Sequence, residues 1–177
     1  ATGLPRNRVI GMGGALDSAR FKYRLAEALG CPSSDVEGMV IGGHSDTGMV
    51  PLIGKAVRNS IPVSEFLSEE RMSELVEATK VGGATLTGLL GTSAWYAPGA
   101  AVSAMVQAIA QDAQKMFPCS ALLQGEYGLN DLSIGVPCIL GKNGIEKIVE
   151  IELSDAEKEK LVASAEGVKK TKEHMKT

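Results

Sequence analysis

Chemistry in this sequence starts from one histidine. His44 follows the run Val36-Glu37-Gly38-Met39-Val40-Ile41-Gly42-Gly43, and the other histidine, His174, stands in a lysine-crowded tail. Val40 and Ile41 suit a buried pleated strand. Two glycines then let the backbone turn sharply and let another molecule come close. A histidine delivered by such a turn can face a cleft while the strand behind holds it still, and imidazole gives and takes protons near neutral pH. An ordinary loop histidine without a task fits the same stretch.

A second stretch bears on that choice: Val9-Ile10-Gly11-Met12-Gly13-Gly14-Ala15-Leu16-Asp17-Ser18-Ala19-Arg20. Asp17 and Arg20 are three apart at what reads as a helix start, so they share a face. A carboxylate can accept an imidazole N–H, fix the tautomer and stabilise the charged ring. A guanidinium offers a fork that fits a carboxylate with two parallel hydrogen bonds. Taken singly, Asp17 also suits a helix cap and Arg20 a solvated charge. Together with His44 they would bind an acid and move a proton beside it.

These residues need elements to hold them. The segment up to Ile10 is strand-like, and Asp17 to Leu29 reads as a helix with Phe21, Leu25 and Leu29 on one face. Gly30 suits its left-handed stop. Pro32-Ser33-Ser34-Asp35 is a turn before a Val36–Ile41 strand. Met49 to Val57 suits a second strand or a helix start, broken by Asn59-Ser60-Ile61-Pro62-Val63. A helix capped by Ser68 buries Met72, Leu75, Val76 and Thr79, is interrupted at Gly82-Gly83, and resumes through Leu86, Leu89 and Leu90. After Ala97 an alanine-rich helix is expected to be plainly buried. Strands follow at 120–123, 132–140 and 145–151, the last two joined by Gly141-Lys142-Asn143-Gly144, whose Asn-Gly is a hairpin signal. Ser154-Asp155-Ala156-Glu157 is a capping box opening a helix with Leu161, Ala165 and Val168 as its apolar stripe.

Composition bounds the rest. The 177 residues suggest one α+β domain spanning 1–177. Hydrophobic content of 44% and charged content of 22% are those of ordinary globular chains. A net charge of −3 gives no footprint for nucleic acid or a membrane surface. Cys31, Cys119 and Cys138 form no C-x-x-C pair, so reduced thiols in a cytoplasmic protein are expected and a metal site is not. Gly11-x-Gly13 is not a dinucleotide fingerprint, because Leu16 stands where the third glycine belongs. The stretch from Gly48 to Lys55 has the wrong spacing for a phosphate-binding loop.

Leu16-Asp17-Ser18-Ala19-Arg20-Phe21 and Gly42-Gly43-His44-Ser45-Asp46 resemble two signature stretches of the lactate/malate dehydrogenase family. Ser93-Ala94-Trp95-Tyr96-Ala97-Pro98 and Gly135-Val136-Pro137 resemble two more, in the family's order. The resemblance covers about the second half of such an enzyme. It implies the family's α+β C-terminal domain, with antiparallel sheets packed on long helices, and a cofactor-binding Rossmann domain that is not in this chain. It implies His44 as proton donor and acceptor, Asp17 as its carboxylate partner, Arg20 as the grip on the substrate carboxylate, and Ser93 as a hydroxyl lining the pocket.

The implied reaction is NAD-dependent oxidation of a 2-hydroxy acid in a homo-oligomer, a dimer or tetramer. The Ser93–Pro98 stretch is nearer the form found in bacterial malate enzymes than that of lactate enzymes, which implies a dicarboxylate substrate. The arginine that would choose between them belongs to the absent half. Ser45 departs from the glycine common in the family, and Gly48 is one residue extra before Met49-Val50-Pro51. The chain alone is expected to be inactive, since no side chain does hydride chemistry. Its start at Ala1 without Met reads as the interior of a longer chain. A competing reading is a binding or oligomerisation module that kept the fold and lost the chemistry; the length of the native product separates the two.

Overall fold

The computed structural model describes residues 3–174. The polypeptide opens on a short 3-10 turn at Arg6–Arg8 instead of the expected strand, and only Gly11 then pairs, through N–H and C=O contacts of 2.9 Å each with Ser120. Helix α1 (Gly13–Leu29) begins at Gly13, ahead of the expected Asp17. Glycine makes that possible, since a Cβ on Gly14 would meet the Pro118 carbonyl at 2.7 Å. The helix start therefore lies directly on a strand backbone, an approach that a side chain would block. Phe21 and Leu25 are fully buried. Gly30, at φ 59°, stops the helix as expected.

The expected Val36–Ile41 strand is divided into β1 (Val36–Glu37) and β2 (Val40–Gly42). The break falls at Gly38, where a Cβ would sit 3.0 Å from Phe21 and Leu25 side chains, so helix α1 occupies the space a side chain there would need. The two pieces then serve different sheets. β1 pairs with β4 (Val57–Arg58), which turns through Asn59 and Ser60, both at positive φ, into β5 (Ile61–Pro62). β2 pairs with β3 (Met49–Pro51) on one side and with β7 (Asn130–Gly141) on the other, where Gly42 faces Gly135. Completing this five-stranded antiparallel sheet are β6 (Lys115–Gln124) and β8 (Gly144–Ile148), both paired to β7. The 3-10 turn at Ile53–Lys55 lies between β3 and β4, where strand or helix was expected.

Helix α2 (Glu69–Leu90) is capped by Ser68, whose hydroxyl accepts the Arg71 N–H at 3.3 Å. It runs unbroken through Gly82-Gly83, contrary to the expected interruption. Glycine weakens a helix but keeps its N–H and C=O, so the hydrogen-bond ladder survives. Helix α3 (Tyr96–Ala110) is not the buried helix expected: only Met105 and Ala108 are buried, while Val102 and Val106 are exposed alongside Leu89, Leu90, Trp95 and Tyr96. Helix α4 (Asp155–His174) opens with the expected capping box. Glu157 accepts the Ser154 N–H at 2.8 Å, and Ser154 Oγ accepts the Glu157 N–H at 3.3 Å. Exposed His174 contacts the Lys170 carbonyl through Nδ1 at 2.7 Å. No helix among the described residues is long and apolar enough to cross a membrane.

Two apolar clusters result. One lies on the five-stranded sheet under α3 and α4, and the other joins α1, the small sheet and α2 around Phe21 and Leu25. Because α1 carries Asp17 and Arg20, the second cluster sets where the site stands. Phe21 is fully buried. Phe21→Ala should lower the unfolding free energy by about 3–5 kcal/mol, as large-to-small changes at such aromatics do. Urea denaturation measures it.

Candidate active site

Asp17 lies in the body of α1 with its side chain 2% exposed, so it does not cap the helix. The same helix turn places Arg20 beside it, and Arg20 Nη1 donates to Asp17 Oδ1 at 3.2 Å. His44 arrives from the opposite direction. β2 ends at Gly42, and the loop then turns back towards β3. Gly42 has a φ of 91°, a conformation open to glycine. His44 Nδ1 stands 2.7 Å from Asp17 Oδ2. One buried carboxylate therefore holds an imidazole on one oxygen and a guanidinium on the other.

Room for these groups comes from glycines. A Cβ on Gly13 would fall 2.7 Å from His44 Cβ and 2.9 Å from its Cγ. A Cβ on Gly83 of α2 would fall 3.2 Å from Arg20 Nη1. The two departures in the His44 loop also meet each other: Ser45 Oγ accepts the Gly48 N–H at 3.1 Å and closes the turn.

Arg20, His44 and Ser93 line one hollow of about 300 Å³, together with Ser45, Asp46 and Thr87. Asp17 stands behind the His44 ring. The sequence pattern had singled out Asp17, Arg20 and His44, and the resemblance added Ser93; the structure brings the first three into contact and places the fourth in the lining of the same hollow. It did not single out Gly13, Gly83 or Ser164 of α4, whose hydroxyl touches the base of the His44 loop. The signal for Gly83 was its mid-helix position, where glycine needs a reason; Gly13, at the start of α1, carried none.

Asp17 acts on the histidine's affinity for a proton. Its hydrogen bond is the largest influence and holds the His44 pKa above the ordinary value. Burial and the Arg20 charge pull it down, and the Asp17 charge adds to the rise. The Asp17 contact on Nδ1 leaves Nε2 as the nitrogen that can exchange a proton with something in the hollow.

A family model for the lactate/malate dehydrogenase alpha/beta C-terminal domain matches residues 14–177. The chain belongs to the lactate/malate dehydrogenase family. It is 64% identical over 174 residues to the malate dehydrogenase of Bacteroides fragilis, covering 98% of this chain and 56% of that protein. Its fold is similar to the malate dehydrogenase of Salinibacter ruber at a TM-score of 0.96 and 44% identity, covering 99% of this chain and 57% of the other. It is also similar to the lactate dehydrogenase of Cryptosporidium parvum complexed with lactic acid and nicotinamide adenine dinucleotide, at a TM-score of 0.92 and 38% identity over 96% of this chain and 55% of that one. The chain thus spans little more than half the length of these relatives.

The raised proton affinity of His44 can be read directly. In a nuclear magnetic resonance titration its midpoint should lie above the ordinary value of about 6.5, and Asp17→Asn should bring it down. The sign for stability follows. A raised folded-state pKa stabilises fully below the unfolded value, and that contribution is lost as pH rises through the folded midpoint. The unfolding free-energy difference between the wild type and His44→Gln should therefore shrink as the pH is raised through that midpoint.

Proposed function

We propose that this chain is the substrate-binding and proton-transfer half of an NAD-dependent malate dehydrogenase. The observation that carries the reading is the Asp17 carboxylate shared between His44 at 2.7 Å and Arg20 at 3.2 Å beside a common hollow. The malate assignment is supported by the names of relatives more than 60% identical to this chain.

The glycine run near the start of the chain leaves no space for a dinucleotide's phosphates. The Gly11–Gly14 run is filled by Ser120, His44 and Pro118 instead. We assign NAD to the remaining part of the longer protein; when bound there, it accepts a hydride from the carbinol carbon of the hydroxy acid. This chain's residues do the rest. Arg20 takes the substrate carboxylate in its fork, with Ser93 on the same wall. His44 Nε2 accepts the hydroxyl proton as the carbonyl forms, and Asp17 steadies the resulting imidazolium through Nδ1. Malate and NAD⁺ then give oxaloacetate, NADH and one proton, which His44 later releases. In the other direction, protonated His44 delivers its proton to the ketone oxygen.

The test is NADH-dependent reduction of oxaloacetate by the complete protein, with pyruvate as the competing substrate. His44→Asn should lower kcat by about 10²–10⁴, and turnover equal to wild type would reject the assigned acid. Arg20→Lys should mainly raise KM for oxaloacetate, because a point charge cannot reproduce the fork. Gly83→Ala should act the same way more mildly, since its methyl presses on Arg20 Nη1. Helix propensity at the same time favours alanine by about 1 kcal/mol. A raised KM with no loss in melting temperature is the expected pair of results.

A further inference from the structure

Helix α4 carries a buried hydroxyl that the proposed reaction does not use. Ser164 is 4% exposed. Its Oγ accepts the Gly43 N–H at 2.8 Å and donates to the Gly48 carbonyl at 2.7 Å. The Gly43 N–H also reaches the Gly48 carbonyl at 3.1 Å, so three polar groups close on one another at the neck of the loop. His44 is the next residue after Gly43, and the Gly43 peptide sets the direction in which the imidazole leaves the backbone.

Helical hydroxyls commonly bond back to the carbonyl one turn earlier. Thr79 does so to Leu75 at 2.7 Å, and Thr171 to Gly167 at 3.2 Å. Ser164 instead directs its donor across the fold. The loop is shaped to receive it: a Cβ on Gly42 would sit 3.1 Å from Ser164 Oγ, and one on Gly43 would sit 3.4 Å from it. α4 itself is held by Leu161 and Ala165, both buried in the sheet cluster.

We propose that Ser164 is a positioning residue for His44, pinning the neck of its loop from behind so that the ring meets Asp17. As part of a catalytic cycle this rests on the reading of His44 as the proton carrier; as geometry it does not. A merely structural role predicts something else. Gly43 N–H and Gly48 C=O are each other's partners. Removing the hydroxyl therefore strands neither of them and costs little stability. The loss falls on the aim of the loop.

Charge does not confound the readout. The α4 residues behind the loop are Ala163, Ser164, Gly167, Val168 and Thr171, and α2 presents Gly83, Ala84 and Thr87 to the site. Among the described residues that line the two hollows beside the ring, the charged ones are Arg20 from α1 and Asp46 from its own loop, with Asp17 of α1 on the ring itself. Ser164→Ala changes none of them, so a moved His44 titration reports a moved ring.

The experiment follows the imidazole Cε1–H resonance of His44 against pH in the wild type and the variant. Ser164→Ala should bring the His44 midpoint down towards about 6.5. In the complete protein, the same change should lower kcat for oxaloacetate reduction at least about tenfold while KM stays within about twofold. Ser164→Cys, which keeps a weak donor in a similar volume, should fall between. An unmoved His44 midpoint in Ser164→Ala overturns the proposal. If Ser164→Ala does not fold, Ser164→Cys matching wild type in both readouts overturns it as well. If the complete wild-type protein shows no turnover while Ser164→Ala still lowers the His44 midpoint, the assigned reaction is rejected and the positioning role stands.

Discussion

One buried carboxylate organises the site. An acid so far from solvent is costly to ionise unless donors reach it. Asp17 meets two, an imidazole on Oδ2 and a guanidinium on Oδ1. Burial strengthens both contacts, because little water competes for the oxygens. Three side chains from two parts of the chain thereby meet as one unit on a single carboxylate.

The backbone bends to permit this unit. Gly13 leaves space for the His44 ring, Gly83 for the Arg20 guanidinium, and Gly42 opposite Gly135 lets the strand that delivers the loop lie against its neighbour. Each is a place where a methyl group would collide with part of the site or its support. Three glycines inside α2, at positions 82, 83 and 88, weaken that helix by up to about 1 kcal/mol each relative to alanine. The packing of α1 on α2 around Leu75 offsets that local loss and keeps the helix whole.

Pairs of residues close in sequence were legible before any coordinates. Asp17 and Arg20 share a helix face at any register, and a histidine after two glycines at a strand end announces itself. The Asn-Gly hairpin, the Ser154 capping box and the Gly30 stop were readable for the same local reason. What failed depended on distant contacts. Val36–Ile41 looks like one strand until Phe21 and Leu25 press on Gly38. Gly82-Gly83 looks like a break until Arg20 lies beside it. The alanine-rich α3 looks buried because its residues are small and apolar, yet only Met105 and Ala108 of it are buried. Ser164 was invisible, because a serine in an amphipathic helix has no signature until a loop 116 residues away accepts its hydrogen bond.

The electrostatics of the site have a direction. Asp17 raises the proton affinity of His44, and the nearby positive charge of Arg20 lowers it. On the proposed reading, an anionic carboxylate seated on Arg20 cancels much of that opposing field. The ring then holds its proton more tightly with substrate present than without it. Linkage makes the effect mutual, so a protonated His44 binds the anion more tightly than a neutral one. The ketone, which must receive a proton, is thus gathered with the proton already in place. The alcohol, which must lose one, favours the neutral ring at higher pH. On that reading a single shared carboxylate orders both directions of the reaction.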